Sequence, residues 1–213
     1  MTSCRSRSSP HPAVPGGAAP TSEAKGARWP EVEHSLDAAD GGARSEELIE
    51  ALGLEVLEGE SGWWRQLRES EIEVTLRDGT RFPVSNTIHL LLSPDRPVNI
   101  WHLLESDDTH VLVEGGPAEY VTLSESRGAR REVLGSNLSV GQSPVIVIPA
   151  GVWTALRLLD PEGYAWIVTT VTPAWSAQRA RIGMDPQTRE RWVGAEPWLT
   201  TELLDDLDDP SVR

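Results

Sequence analysis

The feature that most constrains this chain is a succession of short β-prone runs between residues 71 and 171, cut by Gly, Pro and Asp turns and free of interleaved long helices. Residues 71–76, EIEVTL, alternate polar and apolar side chains, the two-residue period of a half-buried strand. Asp78-Gly79 offers the positive φ angles of a tight hairpin turn, and TRFPVSNTIHLLL reads as the returning strand. SPDRP marks the next turn. Residues 99–104, 109–113 and 118–123 read as three more strands, broken at ESDD and at Gly115-Gly116; 145–148 and 165–171 are two further runs. Closely spaced strands with Gly/Pro turns predict an all-β sandwich or barrel. A doubly wound α/β sheet needs long helices between its strands, and the sequence has none there.

The flanks read differently. Residues 1–44 are rich in Ser, Pro, Gly and Ala and nearly devoid of large apolar side chains, which predicts a disordered N-terminal arm. SEELIEALG then predicts a short helix, capped by Ser45 and stopped by Gly53. Beyond Trp175, MDPQTRERW and TTELLDDL read as short helices, and DDLDDPSVR as a solvated acidic tail. The expected organisation is an arm (1–44), a barrel domain (45–183), and a C-terminal helical extension with an acidic tail (184–213).

Charge and cysteine usage narrow the partners. Thirty-three acidic against 19 basic residues give a net charge of -14, a surface that repels phosphate backbones, so nucleic acid is not expected as a partner. Lys25 is the only lysine, and Cys4, the only cysteine, lies in the arm, which rules out an internal disulfide and suits a reducing compartment. The first twenty residues hold no apolar stretch of signal-peptide length, and no run of about 18 apolar residues occurs. A cytoplasmic protein with no membrane span is expected. Nine Trp against two Tyr and one Phe serve either as core filling or as flat walls for a planar or apolar ligand.

Five segments, in order, resemble the cupin-5 (DUF985) family of the cupin superfamily, from residue 52 to about 183. LGLEVLEGESGWWRQLRES is similar to the family's PEGGYYRETYRS, with Glu60, Gly62, Arg65 and Ser70 matching. SNTIHLLL is similar to STAIYFLL. NIWHLLESDDTHVLVEGGP carries the matching His102, Ser106, Asp107, Gly115 and Pro117. LGSNLSVGQSPVIVIPAGVWTAL keeps Leu134, Gly135, Gly141, Gln142 and an intact PAGVW, and TTVTPAW resembles CTVAPGF. The resemblance implies a double-stranded β-helix (jelly-roll) barrel, usually a homodimer, with a pocket inside. It implies less about reaction, because cupins include metal enzymes, isomerases, epimerases and plain binders.

Many cupins hold a metal through a His-x-His and a Glu of one motif and a His of a second. By the same resemblance, Ile100 stands in the place of the first His, His102 in that of the second, Asp108 in that of the Glu and Thr154 in that of the last His. The intact ligand set is missing, and no cofactor is expected; a divalent metal, if bound, would use His102, Asp108 and His110. Strand parity puts Asp108 and His110 on one face, and His102 joins them if the turn at ESDD keeps phase. The cluster reads either as a three-ligand site or as a hydrogen-bonded His-Asp group that moves protons. Arg65 is a candidate clamp for an anionic group or a structural ion-pair partner. Trp64 and Trp153 are candidate pocket walls or core. His89, Gln142 and Thr154 are further candidate substrate contacts, with Gln142 alternatively fixing a turn.

Three functions follow. One is a cofactor-independent enzyme (isomerase, epimerase, cyclase or dehydratase) acting on a small anionic or planar metabolite, with a biosynthetic pathway as a candidate setting, His102 and His110 as acid and base, Asp108 orienting one of them, and Arg65 holding the substrate. The others are a metal-dependent cupin such as an oxygenase, and a non-catalytic small-molecule binder. No nucleophile elbow, phosphate loop, dinucleotide fingerprint or zinc-finger spacing is present.

Overall fold

The computed structural model describes residues 41–209. The expected disorder of the arm falls on residues outside this range, save for 41–44. Those four belong to the first helix, α1 (Gly41–Leu52), which starts before the expected cap. Ser45 sits inside it, and its hydroxyl donates back to the Gly42 carbonyl at 2.8 Å instead of capping the end.

Thirteen strands follow: β1 (Glu55–Val56), β2 (Trp63–Glu69), β3 (Glu73–Thr75), β4 (Arg81–Pro83), β5 (Asn86–Leu92), β6 (Val98–Leu104), β7 (Asp107–Gly115), β8 (Ala118–Ser124), β9 (Gly128–Leu134), β10 (Val145–Ile148), β11 (Trp153–Leu158), β12 (Ala165–Thr172) and β13 (Ala180–Ile182). Six form one sheet in the order β1-β2-β5-β12-β7-β10, and five form a second, β13-β6-β11-β8-β9. This is the jelly-roll barrel. The returning run after Asp78-Gly79 divides into β4 and β5, and β3 and β4 make a separate two-stranded ribbon. Five strands lie outside the runs read from the sequence: β1, β2 (WWRQLRE), β9 (GARREVL), β11 (WTALRL) and β13. β2 and β9 are rich in charge, and among the named strands β9 pairs with β8 alone, so it sits at a sheet edge where polar residues are tolerated.

Alternation assigns the inner faces. Leu90 and Leu92 of β5, Tyr120 of β8, Ile146 and Ile148 of β10, Leu156 of β11 and Ile167 of β12 are buried together between the sheets. This packing closes one end of the barrel. At the other end the same faces carry Asn86, Ile88, Thr169 and Val171, which border a cavity. Gly115 ends β7 at φ 76°, and a Cβ there would run into the Tyr164 carbonyl oxygen, so the β7–β8 turn demands glycine.

The outer face of the five-stranded sheet is covered by the C-terminal extension. Trp101, Leu103, Val121, Leu123 and Trp153 pack against Met184, Leu199, Leu203, Leu204 and Leu207. Helices α2 (Pro186–Trp192) and α3 (Thr201–Asp206) are capped by Asp185 and Thr200, whose side chains accept from Thr188 N–H and Leu203 N–H. The expectation of a solvated acidic tail is corrected as far as Asp208. Leu207 is fully buried. The Trp101 backbone N–H donates to the Leu207 carbonyl. Arg189 takes both Asp205 and Asp208. The acids are held because the apolar side chains between them anchor the segment. Residues 210–213 lie outside the described range.

On the opposite sheet, α1 covers Leu91 with Leu48 and is pinned by Arg44, which donates to Glu114 and Glu47. The Tyr164 hydroxyl donates to the same Glu114 at 2.7 Å. The Arg44 guanidinium holds the Glu114 carboxyl below its ordinary value of 4.5. The folded state therefore prefers ionised Glu114. The stability it contributes is present above pH 4.5 and is lost as pH falls through the lowered value. Glu114 is about one-third exposed, so the effect is small, below about 1 kcal/mol. Denaturant melts of wild type and Glu114→Gln are expected to differ by that amount at pH 7 and to converge as the pH is lowered below 4.5.

Candidate functional site

The cavity of about 740 Å³ lies at the unpacked end of the barrel. Trp64 and Gln66 of β2 pair with Leu90 and Ile88 of β5, and all four side chains border it. From β12 come Thr169 and Val171, from β7 Asp108 and His110, and from β6 Asn99, His102 and Leu104. Asn99 and His102 have opposite parity on an unbroken strand. Opposite β11, however, Asn99 pairs with Leu156 and His102 with Thr154, so β6 carries one extra residue. This bulge turns both toward the cavity. Residues 55–58, Glu60 and 175–177, with Ile182, complete the rim.

Asp108, His110 and His102 therefore do meet in one lining, and all three are buried. His110 Nε2 lies 2.8 Å from Asp108 Oδ2, and its Nδ1 lies 2.8 Å from the Tyr120 hydroxyl. Burial, with Asp108 nearby, pushes the Tyr120 hydroxyl well above its usual 10, so it keeps its proton. The Tyr120 hydroxyl therefore donates to His110 Nδ1, and His110 Nε2–H donates to Asp108. The chain runs Tyr120, His110, Asp108. His102 is fixed differently. Its Nδ1–H donates to the Ile100 carbonyl at 2.9 Å, which leaves Nε2 as its free ring nitrogen.

Two buried oxygens beside these groups lack hydrogen-bond partners: Asp108 Oδ1 and Thr154 Oγ1. Thr154 borders a small recess shared with His102 and Asp108, of only about 10 Å³, at the lower limit for a single water. Replacing the orphaned hydroxyl with a methyl of the same shape removes a desolvated group without leaving a void. Thr154→Val is expected to be neutral or up to about 1 kcal/mol more stable by urea denaturation.

The other expected site residues are placed as follows. Trp64 borders the cavity. Arg65 faces away from it; its guanidinium donates to the Leu52 carbonyl at the end of α1. His89, paired with Arg65 across β2 and β5, also faces outward and accepts from Trp166 Nε1–H at 3.0 Å. Burial and the Arg65 charge push its imidazole below 6.5, which keeps it neutral. Gln142 fixes a turn by accepting from the Asn137 backbone N–H. Trp153 fills the core under the C-terminal helices. Tyr120, Asn99, Glu55, Glu58, Glu69 and Trp175 belong to the site or its rim without having been expected there. Only Tyr120 had a signal in the sequence, its inward parity on β8 beside Ala118.

The sequence pattern of the Cupin superfamily (DUF985) matches residues 46–182. The chain belongs to this family. None of the curated proteins matches it. Among solved structures, this cupin is similar to a hypothetical protein from Leishmania major at 18% identity and a TM-score of 0.65, over 74% of this chain and 97% of that one. It is likewise similar to a protein from Shewanella oneidensis at 19% identity and a TM-score of 0.64, over 78% of this chain and 98% of that one. At those identities the likeness establishes the barrel.

The metal question can be put to the donors themselves. Among the described residues no three His, Cys, Asp or Glu side chains are grouped to hold one ion. His110, the third member of the expected set, has both ring nitrogens engaged by Tyr120 and Asp108. As placed among the described residues, His102, Asp108 and His110 do not form a ligand set for one ion.

Proposed function

We propose that this cupin is an enzyme that moves protons on a small metabolite inside the barrel, catalysing an isomerisation, epimerisation, cyclisation or dehydration without a cofactor. The reading rests on one observation: His102, held by the Ile100 carbonyl through Nδ1, keeps Nε2 without a hydrogen-bond partner in the same lining as a buried Asp108–His110–Tyr120 chain. His102 is the base, since its tautomer is set by the Ile100 carbonyl. On the other side stands Asp108 as the second acid–base group, held in place by His110, whose two ring nitrogens are engaged by Asp108 and Tyr120. Leu90, Leu104, Ile88 and Val171 dry the pocket and strengthen these interactions.

The cytoplasm is the setting we propose, supported by the lone Cys4; among the described residues no helix is long and apolar enough to cross a membrane. A homodimer is part of the proposal. It is supported by the family resemblance and by Val111, Val113, Val145 and Val147, exposed together on the outer faces of β7 and β10. A non-catalytic binder is the competing function.

The test is hydrogen exchange in D2O. Purified protein is incubated with a panel of small metabolites, and deuterium gain or product is read by mass spectrometry. Wild type is expected to label or convert at least one compound, and His102→Ala to do so about 10²–10⁴-fold more slowly. An unchanged rate in the variant would remove His102 from the mechanism. Ligand-induced thermal stabilisation with no exchange would favour the binder.

A further inference from the structure

Among the described residues, the charged side chains bordering the cavity are Glu55, Glu58, Glu60, Glu69 and Asp108, with no Arg or Lys. Among the described residues, the ion pairs use other acids than the four glutamates. Two arginines close to the lining are committed elsewhere. Arg65 is on the end of α1, and Arg179 donates to the Glu105 carbonyl. A concave site walled by carboxylates of one sign focuses its field on the interior, and it repels the anionic ligand that the sequence suggested.

A second, independent observation concerns Asp108. The residue is 6% exposed, its Oδ2 is taken by His110, and its Oδ1 has no partner. A buried carboxylate oxygen left unpaired is costly, and a donor supplied by a bound molecule would satisfy it. A third observation is aromatic. Trp64 and Trp175 border the same space, and Trp faces are the best side-chain surfaces for an organic cation.

We propose that the cavity binds a small organic cation, a metabolite bearing a protonated amine or a guanidinium, with its positive group among the glutamates and Trp faces of the rim and an N–H within reach of Asp108. The proposal rests on reading this cavity as the substrate site. It narrows the substrate to the class of basic, amine-bearing compounds. The apolar wall of Ile88, Leu90, Leu104 and Val171 takes the carbon skeleton, and His102 then stands beside the carbon or heteroatom that loses a proton.

Isothermal titration calorimetry at fixed ionic strength tests this with defined probes. Agmatine, putrescine and choline form one panel; succinate, glutarate and malate form the other. At least one amine is expected to bind with a Kd below about 1 mM and the carboxylates not to bind. The triple variant Glu55→Gln, Glu58→Gln, Glu69→Gln is expected to weaken the amine by about tenfold or more. A control triple, Glu46→Gln, Glu132→Gln, Glu190→Gln, removes the same charge from exposed positions away from the cavity and is expected to leave affinity unchanged. Equal losses in both triples would mean attraction to net charge alone and would overturn the proposal. So would binding of a carboxylate in preference to every amine, or no amine binding at all. The enzymatic reading stands or falls separately. Amine binding with no His102-dependent exchange would keep the ligand class and remove the catalysis. Exchange on a carboxylate would do the reverse.

Discussion

His110→Ala is expected to cost roughly 3–5 kcal/mol of folding stability, measured by urea denaturation at neutral pH. The imidazole is 2% exposed and stands between two buried polar groups. Its loss strips the Asp108 carboxyl of its one hydrogen-bond donor, and Asp108 Oδ1 already has none. It also strips the Tyr120 hydroxyl of its acceptor, in a side chain with no exposure. Two orphaned groups at about 1–3 kcal/mol each, plus the vacated volume, account for the figure. A domain of this size has about 5–15 kcal/mol in all, so the variant would be marginal. Asp108→Ala,His110→Ala is expected to be less harmful than the sum of the single changes, because the second replacement removes a group that the first had orphaned. A double-mutant cycle reads this directly. Strict additivity would mean that the two side chains do not act as a unit.

The second large effect lies far from the cavity. Leu204→Ala is expected to lose about 2–5 kcal/mol. Leu204 is fully buried in the layer that covers Trp101, Leu103, Val121 and Leu123. The Leu204 carbonyl also accepts from Trp101 Nε1–H at 3.0 Å. A chain ending at Pro197 would lose Leu199, Leu203, Leu204 and Leu207 together and bare that sheet face to water. Such a chain is expected to be insoluble or unfolded, as read by soluble yield and near-ultraviolet circular dichroism. Full solubility and an unchanged melt would show that the extension is an appendage. The same experiment bears on the site, because β6 carries Trp101 on the covered face and His102 toward the cavity. Freeing the outer face should loosen the bulge that sets His102.

How much of this was legible depended on whether a feature is local. The two-residue period in β12, the Asp78-Gly79 turn and the Gly115-Gly116 break are properties of a few neighbouring residues, and they survive into the fold; of the half-buried strand expected at 71–76 only Glu73–Thr75 forms, in a detached ribbon that leaves Ile72 exposed. The parity of Asp108 and His110 is local too, so their shared face could be read directly. Arg65 and His89 show where such reading stops. In β5 the run Leu90, Leu91, Leu92 is apolar on both faces. Leu90 and Leu92 turn into the barrel, while Leu91 is covered from outside by α1. With both faces buried, alternation does not say which is the lumen, and His89 follows Leu91 outward. Arg65 lies opposite it in register and shares its fate.

The sequence by itself determined the class and family of this protein: an all-β cupin barrel with a His-Asp cluster on one strand. Strand period, turn chemistry and motif order are written residue by residue, and the hydrophobic effect acts on them wherever they occur. Only the tertiary structure decided what the cluster faces. Tyr120 reaches His110 because β7 and β8 belong to opposite sheets that close on one another, and no sequence period encodes that distance. The bulge in β6 reverses parity between Asn99 and His102, an event set by pairing with β11. The acidic rim gathers residues 55–69 against a cavity whose far wall comes from residues 169–177. The sign of the field inside is thus a sum over chain segments far apart in sequence, and only closure of the barrel brings them within range of one ligand.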